Sequence, residues 1–112
     1  PILGRDMNWF VAQGSRKNIA HFGYEGTVEL GPIEDVTEHY DVAIIDMPYN
    51  LFTSASYEEQ YAIVKEARRI ADRAVFVAIE PMDDMFKEAG FTIVDKANVP
   101  KGYFLRLVYV CE

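Results

Sequence analysis

The sequence predicts an open α/β sheet, mostly parallel, ending in an antiparallel hairpin. Three observations carry this. Short apolar runs alternate with segments of helical periodicity, the pattern of strands joined by helical crossovers. Two of the runs, 42–46 and 74–79, are almost continuously apolar, as expected for strands covered on both faces. Pro100-Lys101-Gly102 lies between the last two runs, with too few residues for a crossover helix, which makes that pair antiparallel.

The elements follow in chain order. Ile2-Leu3-Gly4 reads as the end of a strand within residues 1–6. Asn8 can cap a helix from about Trp9 to His21, anchored by Val11, Ile19 and Phe22, weakened at Gly14 and Ser15 and stopped by Gly23. Thr27 to Leu30 is a short strand, broken by Gly31-Pro32. Residues 33–40 form a loop or a short helical turn. Val42 to Asp46 is a central strand, and 47–55 is a loop. Ser56 and Glu59 have the spacing of a capping box for a helix reaching about Asp72, with Val64, Ala67, Ile70 and Ala71 buried. Ala74 to Ile79 is the next strand. Pro81 suits the first turn of a short helix ending near Gly90. Phe91 to Lys96 and Tyr103 to Val110 complete the sheet. No repeat, low-complexity tract or linker marks an internal boundary.

Composition narrows the function. The chain has 112 residues, half of them hydrophobic, enough for one folded core. No apolar run approaches membrane-spanning length, and no secretory leader is visible. The lone Cys111 allows no internal disulfide and suits a reducing, cytoplasmic setting. It ends an apolar strand, so burial is expected. The formal net charge is −7, which counts against a surface that grips nucleic acid by itself. Lys65, Arg68, Arg69 and Arg73 form one basic cluster, interleaved with Glu58, Glu59 and Glu66 as on a solvated helix face. His21 and His39 have no metal-ligand spacing with each other or with Cys111, and no metal is expected. There is no nucleophile-elbow or phosphate-loop sequence.

The most informative segment is Asp41-Val42-Ala43-Ile44-Ile45-Asp46-Met47-Pro48-Tyr49-Asn50, an apolar strand running into an acid, a proline and an aromatic. It resembles the Asp-Pro-Pro-Tyr motif of methyltransferases that modify exocyclic amino groups of nucleic-acid bases. Such a nitrogen is a poor nucleophile, because its lone pair is delocalised into the ring. The resemblance makes Asp46, Met47, Pro48 and Tyr49 the catalytic residues. The Asp46 carboxylate and the Met47 backbone carbonyl each accept an N–H and stabilise the developing charge. Pro48 stiffens the turn. Tyr49, with Asn50 beside it, contacts the substrate and stacks on the extruded base. Met47 departs from the pattern, which has a proline there. A buried strand ending in an ordinary proline turn is the alternative.

Over essentially the whole chain, the element order is similar to the Rossmann-like class I S-adenosylmethionine-dependent methyltransferases. The closest likeness is to the tRNA guanosine amino-group methyltransferases that carry a THUMP domain. It rests on Gly4-Arg5-Asp6-Met7-Asn8, then Gly14-Ser15-Arg16-Lys17-Asn18, then the acidic Pro-Tyr motif. The resemblance implies S-adenosylmethionine as cofactor. Asp6 would bind the ribose hydroxyls, Met7 would lie against the adenine, and Ile33 and Asp35 would be the remaining adenine contacts. Two departures stand out. The acid that the family has just after its third strand is replaced by Pro32-Ile33. The first strand and its Gly-rich cofactor loop have no counterpart, so residues 1–112 are expected to be the C-terminal part of a catalytic domain, inactive alone and prone to homodimerise. The implied activity is methylation of an exocyclic amino group of a nucleic-acid base, that of guanosine in tRNA, which is reached through a further N-terminal domain. Adenine in DNA is one alternative substrate, and a non-catalytic partner-binding module is another. Glu80-Pro81, at the end of the next strand, would border the substrate or cap the following helix.

Overall fold

The computed structural model describes residues 3–6, 9–22, 27–47, 56–101 and 104–112. The chain divides into two compact units, Pro1–Val36 and Thr37–Glu112, although no shift in composition marks the division.

In the first unit, strand β1 (Leu3–Asp6) pairs in parallel with β2 (Thr27–Leu30), with Asp6 opposite Leu30. Helix α1 (Trp9–Phe22) makes the crossover, one residue longer than expected. Gly31 follows β2 with φ 146°, a region that side chains other than hydrogen rarely adopt. A single 3-10 turn, Ile33–Asp35, comes next. It is held by Asp35 N–H donating to Pro32 O at 3.2 Å and Val36 N–H to Ile33 O at 3.0 Å.

In the second unit, β3 (Tyr40–Asp46), α2 (Tyr57–Ile70), β4 (Ala71–Ala78), α3 (Asp83–Glu88), β5 (Ile93–Lys101) and β6 (Phe104–Cys111) follow in order. The sheet runs β3-β4-β6-β5. β3 and β4 are parallel, whereas β6 is antiparallel to both neighbours. The described strands therefore form a two-stranded parallel sheet and a four-stranded mixed sheet. This corrects the expectation of one mostly parallel sheet, because β6 lies between two strands running the other way.

Helix α2 starts as its sequence dictates, with the Ser56 hydroxyl accepting the Glu59 N–H at 3.1 Å. Glu58 and Glu59 lie in its first turn and Arg68 and Arg69 in its last, each complementing the helix dipole. It stops at Ile70, two residues early, because Ala71 is already extended and pairs with Tyr40. β4 thus begins at Ala71, and Arg73 belongs to that strand, ion-paired with Glu112, not to the helix face. Pro81 stands before α3 and not in its first turn. Met82 takes the cap position, its N–H donating to the Tyr109 hydroxyl at 3.1 Å. β5 runs through Pro100, which an outer strand tolerates because only one of its sides is paired.

The core lies between the sheet and α2 and α3. Val64, Ala67 and Ile70 on α2, Ala74, Phe76 and Ala78 on β4, and Leu107, Tyr109 and Cys111 on β6 are buried. Phe76 stacks on Phe86 at 4.6 Å and meets Phe91 edge-on at 5.5 Å, while Phe86 meets Tyr109 edge-on at 4.8 Å. Each such pair contributes about 0.5–1.5 kcal/mol beyond its burial. Burial raises the Tyr109 hydroxyl above its ordinary value and pushes the Cys111 thiol up to about 11, which keeps it protonated and inert.

β3 differs from its expectation as a strand covered on both faces. Val42 is 50% exposed and Ile44 78% exposed. Among the described strands β3 is an outer member of its sheet, and the face bearing Ala43 and Ile45 is the more covered one.

Candidate functional site

The acid of the Asp46-Met47-Pro48-Tyr49 motif occupies the position that strand geometry offers for chemistry. Asp46 is the last residue of β3, opposite Val77 near the end of parallel β4, so it stands at the C-terminal edge of that strand pair. Ligands of open α/β sheets bind at this edge, because the strands stop there and the connecting loops diverge. The Asp46 side chain is exposed and the next residue, Met47, is only 3% exposed. Met47 N–H donates to the Val77 carbonyl at 2.8 Å, extending the β3–β4 ladder one residue past the strand. That bond gives a physical reason for methionine here, since proline has no N–H to donate. Pro48, Tyr49 and Asn50 lie outside the described residues. Glu80 and Pro81, both exposed, follow β4 at the same edge as Asp46.

The first unit has its own C-terminal edge. Asp6 closes β1, Leu30 closes β2, and Gly31-Pro32 leads into the turn carrying Ile33 and Asp35. Ile33 is half-buried and Asp35 exposed. Met7 lies outside the described residues, as does the side chain of Asp6. An apolar side chain and a carboxylate on one short turn, beside the end of an acid-terminated strand, fit the base and sugar of a nucleoside in kind.

Two polar arrangements escaped the sequence reading. Arg5 on β1 is ion-paired with its cross-strand neighbour Glu29 and directs Nη1 to the Pro32 carbonyl at 3.5 Å. Its Nε is buried and has no hydrogen-bond partner among the described residues. In the second unit, the Tyr109 hydroxyl donates to Asp83 at 2.8 Å, and Lys96 lies 3.4 Å from the same carboxylate. The tyrosine bond holds the Asp83 carboxyl below its ordinary value. Only the strand pairing, Arg5 with Glu29 and Lys96 with Tyr109, could have shown either.

His39 directs Nε2 to Asp72 at 2.9 Å and Nδ1 to the Arg69 carbonyl at 3.3 Å. Among the described residues no group of His, Cys, Asp and Glu could hold a metal ion, and no helix is long and apolar enough to cross a membrane. Lys65, Arg68 and Arg69 are exposed on α2, with Arg69 paired to Glu66, as expected of a solvated face.

No family model matches the sequence, and no characterised protein matches it closely. Solved structures do match in fold. A magnesium protoporphyrin IX methyltransferase from Synechocystis, solved with bound S-adenosylmethionine, is 15% identical with a TM-score of 0.75, over 98% of this chain and 58% of the other. A tRNA (uracil-54, C5)-methyltransferase from Pyrococcus abyssi, in complex with S-adenosylhomocysteine, is 19% identical with a TM-score of 0.75, over 99% of this chain and 28% of the other. An S-adenosylmethionine-dependent methyltransferase from Clostridium acetobutylicum is 7% identical with a TM-score of 0.77, over 98% of this chain and 74% of the other. The chain thus spans less than two thirds of the first two. At these identities the likeness is one of fold: the α/β fold of methyltransferases, with its antiparallel hairpin.

Proposed function

We propose that this chain is part of the catalytic domain of an S-adenosylmethionine-dependent methyltransferase acting on an exocyclic amino group of a nucleic-acid base, with guanosine in tRNA as the substrate. One observation carries the reading: in a chain with a methyltransferase fold, the acid of an Asp-Met-Pro-Tyr sequence ends β3 at the C-terminal edge of the sheet. The cofactor, when bound, supplies an electrophilic methyl group. Asp6, Met7, Ile33 and Asp35 would hold its nucleoside. Asp46 accepts an N–H of the base and offsets the positive charge developing on nitrogen. The Met47 carbonyl accepts the other N–H, and Tyr49 stacks on the base beside Asn50. With a net charge of −7, this chain would leave the grip on the phosphate backbone to a basic surface elsewhere, in a further domain. We place the protein in the cytoplasm, where tRNA and free thiols such as Cys111 coexist.

The test is single-turnover methylation by the full-length protein, with unmodified tRNA and adenine-containing DNA as alternative substrates. Asp46→Asn keeps size and one acceptor oxygen but loses the charge, and should slow turnover by roughly 10²–10³. Tyr49→Ala removes stacking of about 1–3 kcal/mol and should impair base placement. Methylation of DNA alone would move the substrate to adenine. Near-normal rates for Asp46→Asn would make the acid structural and end the catalytic reading.

A further inference from the structure

We infer that Arg5 is a positioning residue for the nucleoside pocket: its guanidinium holds the Gly31–Asp35 segment against β1, in the space that a side chain at Gly31 would enter. The inference rests on the cofactor reading above and extends it to two residues which that reading does not use.

The geometry is local to the first unit. Arg5 and Glu29 face each other across the parallel pair, and Gly31 comes two residues after Glu29, on the same side of the sheet. The Arg5 side chain is 18% exposed, so most of its stem lies against protein. One arm of the fork is ion-paired with Glu29, and the other points at the Pro32 carbonyl at 3.5 Å. Pro32 O also accepts the Asp35 N–H at 3.2 Å, the bond that closes the 3-10 turn. Arg5 therefore meets the turn at its own anchoring carbonyl. A planar, two-armed donor bridges a carboxylate and a carbonyl in a fixed geometry, whereas the three donors of an ammonium rotate and fix no such direction.

Gly31 explains why the fit is specific. A Cβ there would lie 2.6 Å from Arg5 Nη1 and 3.5 Å from an Asp35 carboxylate oxygen. Its φ of 146° is strained for any side chain. The guanidinium thus fills the space a side chain at 31 would need. Its Nε–H is buried and unpaired among the described residues, a cost the site bears. The residues so placed are Ile33 and Asp35, the proposed base contacts. Neither Glu29 nor Pro32 is itself a candidate ligand residue, so the role of Arg5 is to set where the turn sits.

The experiment compares Arg5→Met, Arg5→Lys and Gly31→Ala in the full-length protein. Three readouts are taken: amide exchange at Asp35 and Val36, the dissociation constant of S-adenosylhomocysteine, and KM for the methyl donor against kcat. Loss of a charge-assisted contact predicts roughly tenfold weaker binding for Arg5→Met. KM should rise with kcat at saturating donor little changed, and exchange should speed at both amides. Arg5→Lys should recover part of the affinity. Combining Gly31→Ala with Arg5→Met should cost less than the two effects multiplied, because the methyl then has no guanidinium to displace. Unchanged affinity in Arg5→Met overturns the inference and leaves the cofactor reading standing. Equal loss of kcat and melting temperature with KM unchanged also overturns it, since that is a purely structural role. Failure of the unaltered protein to bind S-adenosylhomocysteine removes the cofactor reading and the inference with it.

Discussion

Replacing Met47 by proline restores the motif of the resembling family and should nonetheless damage this protein. The Met47 N–H donates to the Val77 carbonyl at 2.8 Å, and proline removes that donor. The carbonyl of an inner strand then loses a partner, which costs about 1–3 kcal/mol where water cannot replace it. Met47 is 3% exposed, and the shorter ring gives up roughly one buried carbon, about 0.8 kcal/mol. Together the loss is about 2–4 kcal/mol, equivalent to a melting temperature lower by roughly 8–16 °C in a domain of this size. Met47→Leu keeps the N–H and most of the volume, so it should cost less than about 1.5 kcal/mol. Urea denaturation followed by circular dichroism separates the two, provided the slope with urea stays constant. The rate of methylation should not rise in Met47→Pro. Stability equal to that of the unaltered protein would refute the ladder argument and leave Met47 as a chance departure.

Three further outcomes are expected. His39 faces a carboxylate and a carbonyl, both acceptors, so only the doubly protonated ring satisfies both, and its pKa is raised chiefly by the Asp72 bond. Its stabilising contribution should be complete below the ordinary value of 6.5 and vanish as pH rises through the folded-state value, so His39→Gln should differ in urea midpoint at pH about 5.5 and not at about 8.5. Tyr109→Phe keeps the ring contact with Phe86 but strands the buried Met82 N–H, costing about 1–3 kcal/mol in urea, and a loss below about 0.5 kcal/mol would show that the hydroxyl is dispensable. The 112-residue chain by itself should bind S-adenosylmethionine more weakly than micromolar and sediment as a dimer or larger, which Ile44→Lys should reverse; tight binding by a monomer would contradict both parts.

Much of the fold was legible because local signals and tertiary structure agree. Thr27 to Leu30 is a strand bounded by turn residues, and Ser56 caps α2 with the hydroxyl its position predicts. The short segment around Pro100-Lys101-Gly102 forced an antiparallel pair, although β5 itself runs on to Lys101. Failures came where pairing overrode propensity. Ala71-Asp72-Arg73 reads as the tail of a helix, yet Ala71 is drawn into the sheet opposite Tyr40 and the helix ends at Ile70. Pro81 reads as a helix start, but the Tyr109 hydroxyl captures the next N–H, 27 residues distant in sequence. In the candidate site, Asp46 was legible as the polar end of an apolar run. The ladder bond of Met47 and the Arg5–Glu29 pair were not, since both depend on a register that one strand alone cannot reveal.

The exposure of β3 bears on the catalytic reading itself. A reacting group must be held within about 0.5 Å of its productive position for electrostatic stabilisation to act. Among the described residues Asp46 is held through a ladder on one side, by β4, while Ile44 two residues before it is 78% exposed. Val42 and Ile44 are the residues of a strand suited to burial, and parallel strands are normally covered on both faces. On the proposed function, the catalytic precision of Asp46 and the covering of β3 are therefore one requirement. Whatever packs over Val42 and Ile44 also steadies the acid, so a charge at residue 44, two residues before Asp46 on the same face of β3, should lower turnover as well as weaken association.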